Sequence, residues 1–203
     1  MNYPWTRHYQ RYEYVIQKGY VTDRNVVDIG CGFPIGSTIM TSVAESVIAI
    51  DKKLDKNKTY TMPQVNSFMG KPPRPSRIKL WKGGYEQIDK WYDVATAIEV
   101  FEHVNPINFI FKLGFCCEYL FLTTPLAKTT GPTRNKNHIA EYSHKEFVNI
   151  VTHRFDILEE TYQTSDLVIS NKGKYTGDSY NPQHTVQMLW CRNKGSKYLK
   201  EGD

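Results

Sequence analysis

Asn25-Val26-Val27-Asp28-Ile29-Gly30-Cys31-Gly32-Phe33-Pro34-Ile35-Gly36 is the stretch that decides how this chain folds. A short apolar run that ends in a glycine-rich turn and passes into Ser37–Glu45 reads as buried strand, turn and helix. Gly30 and Gly32 remove side chains where backbone must approach a ligand, and both permit positive φ. In open α/β sheets ligands sit at the carboxyl ends of strands, where this turn falls. Glycines that serve turn geometry alone are the plainer alternative. Against it stands a second apolar run, Ser46-Val47-Ile48-Ala49-Ile50, which ends in the carboxylate of Asp51.

Outward from this turn, strands alternate with helices. Tyr9–Gly19 reads as a helix closed by glycine, inside an N-terminal cover over residues 1–20. Ile78–Trp81 and Tyr92–Ile98 read as strands. Asn105-Pro106 opens a helix, with Asn as N-cap and Pro in the first turn. Glu118–Thr123 reads as a buried strand stopped by Pro125. Ser143-His144-Lys145-Glu146 has the spacing of a capping box and opens a helix with Phe147, Val148, Ile150 and Val151 on one face. Phe155–Glu159, Asp166–Ser170 and Thr185–Arg192 read as late strands. Residues 52–77 form a loop insertion, interrupted by a short helix near Met62–Phe68, and 193–203 form a polar tail. This order predicts one α/β domain over 1–203: a Rossmann-like, doubly wound, seven-stranded sheet, mostly parallel, with an antiparallel last strand.

Composition narrows the class. Lys and Arg number 26 against 21 Asp and Glu, a formal charge of +5. That admits an anionic substrate without the strong clustering of a dedicated nucleic-acid binder. The four cysteines, at 31, 116, 117 and 191, form no C-x-x-C pair, which argues against a zinc ribbon or disulfide framework and predicts a reducing compartment. The N-terminus is polar and aromatic, so no signal peptide is expected, and Lys112, Glu118 and Pro125 break the longest apolar stretch, so neither is a membrane span. A cytoplasmic location follows as the expectation.

The turn favours a nucleoside cofactor. Asp51 suits a bidentate grip on two ribose hydroxyls. Gly30, Gly32 and Gly36 are spaced G-x-G-x-x-x-G, and Pro34 lacks an N–H that could face a phosphate; both disfavour a dinucleotide. The run VVDIGCG with Asp51 resembles the first two motifs of class I S-adenosylmethionine-dependent methyltransferases. Tyr92-Asp93-Val94 with Ile98-Glu99-Val100-Phe101-Glu102-His103-Val104 looks like the fourth-strand motif of their small-molecule and RNA O-methyltransferase branches. Leu122-Thr123-Thr124-Pro125 and Asn137–Phe155 are similar to the segments that follow. The resemblance spans roughly residues 20–160. It implies that Asp28, Gly30, Cys31 and Gly32 line the methionine end of S-adenosylmethionine, that Asp51 holds the ribose, that Lys52 lies beside the adenine, and that Ile98 and Glu99 close over the cofactor. Many relatives place an Asp after the third strand to hold the adenine amine. Here Lys82-Gly83-Gly84-Tyr85-Glu86 stands there, so a backbone group or a stacked Tyr85 would substitute.

Glu99, Glu102, His103 and His138 form a second constellation. Two carboxylates and imidazoles at the end of a strand have the donor set for a divalent ion. The pattern resembles the E-x-x-E-H metal site, with a later His, of small-RNA 3′-end 2′-O-methyltransferases. A cation there would lower the pKa of an acceptor hydroxyl and orient it. Without metal, His103 or His138 would be the general base. The same motif also occurs in relatives that bind no metal.

The leading expectation is therefore methyl transfer to a hydroxyl of a small molecule or nucleic acid, with or without metal assistance. The alternatives are a non-catalytic methyltransferase-like module that acts as a partner subunit, and a nucleotide-dependent oxidoreductase, which the glycine spacing disfavours. The aromatic and basic segment around Trp5, Arg7, His8, Tyr9, Arg11 and Tyr12 reads as a covering helix that lies over the sheet or the cofactor. The lysines and arginines of residues 52–82 would either guide a polyanion or solvate a loop. Cys31 reads as packing, and His144 and His153 read as surface residues.

Overall fold

The computed structural model describes residues 6–54, 72–131, 135–164, 169–171 and 185–195. The helix expected at Met62–Phe68 lies outside them. Contacts divide the chain into two compact units, Met1–Ile98 and Glu99–Asp203.

The first unit holds four strands, β1 (Asn25–Ile29), β2 (Ser46–Asp51), β3 (Ile78–Lys82) and β4 (Tyr92–Ile98), all parallel, in the order β3-β2-β1-β4. A parallel strand covered on both faces must be apolar throughout; accordingly Val26, Val27, Val47, Ile50, Val94 and Ala95 are buried. Side chains set the register at the strand starts. Asp93 Oδ2 accepts from Asn25 N at 2.8 Å, and Ser46 Oγ donates to Asn25 Oδ1 at 2.7 Å. Helix α1 (Thr6–Gln17) buries Tyr12, Val15 and Ile16. Gly19, at φ +74°, closes it, as the sequence predicts. Helix α2 (Ile35–Met40) is shorter than the expected Ser37–Glu45. After Met40 the backbone tightens to bonds three residues apart, and the Thr41 and Ser42 hydroxyls donate to the carbonyls of Thr38 and Ile39. Such hydroxyls compete with the helix ladder and end it.

Between β3 and β4 there is no α-helix, only a single 3₁₀ turn, Tyr85–Gln87. Of the 52–77 insertion, Leu54 is buried, Arg74 donates to Ser42 O and Arg77 to Ala44 O. Both ends of the loop are thus anchored.

The second unit holds α3 (Pro106–Leu113), β5 (Cys117–Ala127), β6 (Tyr142–Ser143), α4 (His144–Val151), β7 (Phe155–Gln163), β8 (Ile169–Asn171) and β9 (Val186–Asn193). β9 runs antiparallel to both β5 and β7, which confirms the antiparallel last strand. β8 overlaps the strand expected at Asp166–Ser170, and the two-residue β6, which the sequence reading did not include, pairs with β5. Asn105 caps α3 as predicted, its Oδ1 accepting from Asn108 N at 3.0 Å. Ser143 Oγ accepts from Glu146 N, but the Ser143 N–H goes to Thr130 Oγ1, so only half of the expected box forms. Pro125 does not stop β5. It pairs with Val186, and the next N–H, of Leu126, continues the ladder to Thr185 O. A proline is tolerated where the pairing asks no N–H of it. Asn193, expected at the head of a frayed tail, is buried and donates to the carbonyls of Gly114 and Cys117, both at 2.8 Å. Residues 196–203 lie outside the described part. Phe101 is fully buried, edge-on to Tyr142 and Phe147.

Candidate functional site

In the first unit the turn after β1 has the expected backbone. Gly30 and Gly32 lie at φ +66° and +53°. A Cβ built on Gly32 meets no atom within 4 Å, so conformation and not crowding selects glycine there, and the space above the turn is open. Asp51 ties the turn to the end of β2: its Oδ2 accepts from Gly32 N at 3.0 Å and its Oδ1 from Lys53 N at 2.7 Å. Each oxygen thus makes one bond and keeps acceptor capacity for a further donor, and the residue is half-exposed.

Asp28 sits beneath the turn, fully buried. It accepts from Tyr12 Oη at 3.1 Å, Ser37 Oγ at 2.5 Å and Thr96 Oγ1 at 2.7 Å. Burial raises its pKa from 3.8 to about 6, against the lowering effect of the three hydroxyls, with a small further push from Asp51. Asp28 therefore organises the turn from below. The same buried charge helps to raise the Tyr12 and Cys31 pKa values, with burial the first cause in both. Cys31 packs with Ala49 and Leu54, as expected of a packing residue. Gly36 earns its place through Tyr12, whose ring occupies the position that a Cβ would take.

Lys52 and Glu86 form an exposed ion pair at 3.1 Å. Tyr85 is buried in the turn after β3, and Gly83 N donates to Asp51 O at 3.1 Å. Ile98 is buried at the end of β4.

In the second unit Glu99 adopts φ +57°, left-handed for a non-glycine residue, which costs on the order of 1 kcal/mol. Its N–H donates to Thr123 Oγ1 at 3.0 Å, and Thr123 Oγ1 donates to its Oε1 at 3.1 Å. The next residues wind into a 3₁₀ turn, Phe101–His103, held by the burial of Phe101.

That turn places Glu102 and His103 beside His138. One ligand atom from each lies within 4.8 Å of the others. Glu102 is 1% exposed, and its Oε2 accepts from Thr124 Oγ1 at 3.0 Å. His103 Nδ1 faces Asn137 O at 2.6 Å. His138 Nδ1 faces Glu141 Oε1 at 3.1 Å. Both acceptors call for an N–H at Nδ1, so in the neutral ring Nε2 carries the lone pair; His103 Nε2 lies 3.9 Å from Glu102 Oε1. Metal-ligating histidines are oriented in this way, by a carbonyl or carboxylate behind the ring. Asn135 Nδ2 contacts His138 Nε2 at 2.8 Å. Of the four predicted ligands three converge; Glu99 is instead engaged by Thr123.

The sequence reading missed Tyr12, Ser37 and Thr96 under the turn, and Thr124, Asn137 and Glu141 behind the acid–histidine group. Thr96, Thr123 and Thr124 were visible as polar residues inside apolar strand runs. His144 was expected at the surface, but it is part-buried, with Nδ1 3.1 Å from Tyr162 Oη and Nε2 3.4 Å from Glu160.

No protein-family model and no curated protein sequence matches the chain. Solved structures do. The N-methyltransferase NodS from Bradyrhizobium japonicum, in complex with S-adenosyl-L-homocysteine, aligns over 95% of this chain and 89% of its own, at 13% identity and TM-score 0.64. The 1,6-didemethyltoxoflavin-N1-methyltransferase of Burkholderia thailandensis, with S-adenosylhomocysteine bound, aligns over 91% and 77%, at 10% identity and TM-score 0.65. Magnesium protoporphyrin IX methyltransferase from Synechocystis aligns over 92% and 83%, at 14% identity and TM-score 0.58. The chain thus has the Rossmann-like α/β fold of S-adenosylmethionine-dependent methyltransferases. Among the described residues no helix is long and apolar enough to cross a membrane.

Proposed function

We propose that this chain is an S-adenosylmethionine-dependent methyltransferase acting on a hydroxyl of a small molecule or nucleic acid. The observation that carries the reading is the open glycine turn pinned to β2 by Asp51, in a fold shared with methyltransferases bound to the demethylated cofactor. Asp51 would accept from the ribose hydroxyls, the backbone at Gly30–Gly32 would approach the methionine end, and Lys52, Tyr85, Ile98 and Glu99 would flank the nucleoside. Catalysis would rest mainly on holding the sulfonium methyl in line with the acceptor oxygen.

The acid–histidine group supports oxygen as the nucleophile. In the neutral form His103 and His138 would present lone pairs at Nε2, and either would take the acceptor's proton as general base. A carboxylate with two imidazole nitrogens also fits a divalent transition metal. Glu102, His103 and His138 would hold such an ion, which would supply Lewis acidity towards the hydroxyl.

Calorimetric titration with S-adenosylmethionine and S-adenosylhomocysteine tests the cofactor half. Wild type is expected to bind in the micromolar range (about −8 kcal/mol), with binding lost in Asp51→Ala. Zinc and manganese titrations of wild type and Glu102→Gln test the other half, with the metal signal lost in the variant. A folded wild-type chain that binds neither cofactor form would overturn the reading.

A further inference from the structure

The structure has a concave site away from the glycine turn. β3 stands at one end of the strand order, and each of its residues is part-exposed or exposed. A hollow of about 330 Å³ opens there, walled by Ile48, Trp81 and Tyr92 and rimmed by Lys79, Asp89 and Lys90. By register, Lys79 and Trp81 stand on the same face of the sheet as their partners Ile48 and Ile50. The lining runs from Lys79–Trp81 of β3 to Asp89, Lys90 and Tyr92 at the start of β4, and none of the residues assigned to the cofactor lines it.

We propose that this hollow is a contact site for single-stranded nucleic acid. Trp81 would stack a base, and Lys79 and Lys90 would hold the flanking phosphates. The chemistry is that of strand-binding grooves, which combine an aromatic platform with a cationic rim. The sizes agree, since a volume near 300 Å³ is the lower end for a small-ligand site. The charges agree as well. Within the basic stretch around β3, Lys52 is paired with Glu86 and Arg77 with Glu45. Among the described residues the Lys79 and Lys90 ammoniums make no ion pair. Trp91, next to the rim, is 41% exposed and offers a second platform for a neighbouring base. A duplex would keep its bases stacked inside and could offer the hollow only backbone. The inference does not rest on methyl transfer, because binding alone reads it.

The test is fluorescence anisotropy of labelled single-stranded RNA and DNA of about 12 nucleotides, against 5′-AMP and a duplex of equal length as competitors, at about 50 and 200 mM salt. The full chain should bind the strands, more weakly at the higher salt. Lys79→Glu with Lys90→Glu should weaken binding roughly tenfold. Lys128→Glu with Lys145→Glu, the same charge change in the second unit, should alter it less than about twofold. Trp81→Ala should weaken it about fivefold or more and Trp81→Phe much less, since stacking survives in the latter. Asp89→Asn should tighten it, because one repulsive carboxylate is lost. Thermal unfolding confirms that each variant folds. The proposal is overturned if no strand binds at the lower salt, if both lysine pairs weaken binding alike, or if 5′-AMP or the duplex competes as well as the strand.

Discussion

Asp28 is a carboxylate with three hydroxyl donors, which should lower its pKa, and burial outweighs all three. The folded-state value of about 6 lies above the ordinary 3.8. The folded chain therefore holds this proton more tightly than the unfolded chain does. Stability from this group is greatest below about pH 4 and is lost as pH rises towards 6, by roughly 3 kcal/mol, since one pKa unit is worth about 1.4 kcal/mol. Urea unfolding at pH 4 and at pH 7 should show wild type losing more stability over that interval than Asp28→Asn, by up to about that amount. Parallel curves for the two proteins would contradict it. The sequence marks Asp28 as the acid of the turn. It does not show the three hydroxyls that surround it, because Tyr12, Ser37 and Thr96 come from a helix, the next helix and another strand. Only Thr96 becomes legible once the strand order is known, since it lies directly across from Asp28.

At the scale of elements, α1 and α2 meet where the Tyr12 ring fills the space over Gly36. A methyl group at Gly36 must displace that ring or the helix that carries it. Gly36→Ala is expected to cost about 1–3 kcal/mol, the usual range for overpacking a close contact. With Tyr12→Leu in place the same substitution should cost less, with a coupling of at least about 0.5 kcal/mol in the double-mutant cycle. Additive costs would mean that the two residues do not press on each other. Gly36 was legible as the third glycine of the turn, but its reason was not, because the reason lies in a helix that precedes the motif. The strands were easier to read than their ends. β1, β2 and β4 are apolar runs bounded by polar residues, whereas β5 continues through Pro125 and β9 takes in Asn193. Those ends are set by partners distant in sequence: Val186 for the proline, the carbonyls of Gly114 and Cys117 for the asparagine.

For the whole molecule, the two chemical devices belong to different units. Asp51 and the glycine turn are in the first; Glu102, His103 and His138 are in the second. Both motifs were legible in the sequence, since each is local in the chain, but the exclusion of Glu99 from the histidine group was not. Glu99 is turned by its positive φ and held by Thr123, 24 residues later. Separate devices imply separable ligand effects on stability. A ligand at about 100 times its Kd adds roughly 2.7 kcal/mol to the state that binds it. For a chain of this size that raises Tm by roughly 5–10 °C. S-adenosylhomocysteine should therefore raise Tm in wild type and in Glu102→Gln alike, and leave Asp51→Ala unmoved. Zinc should do the reverse, stabilising wild type and Asp51→Ala but not Glu102→Gln. Scanning fluorimetry of the three proteins with each ligand reads this directly. If Glu102→Gln also abolishes the S-adenosylhomocysteine shift, the carboxylate that closes the histidine group is itself part of the cofactor site, and the division of labour drawn here is wrong.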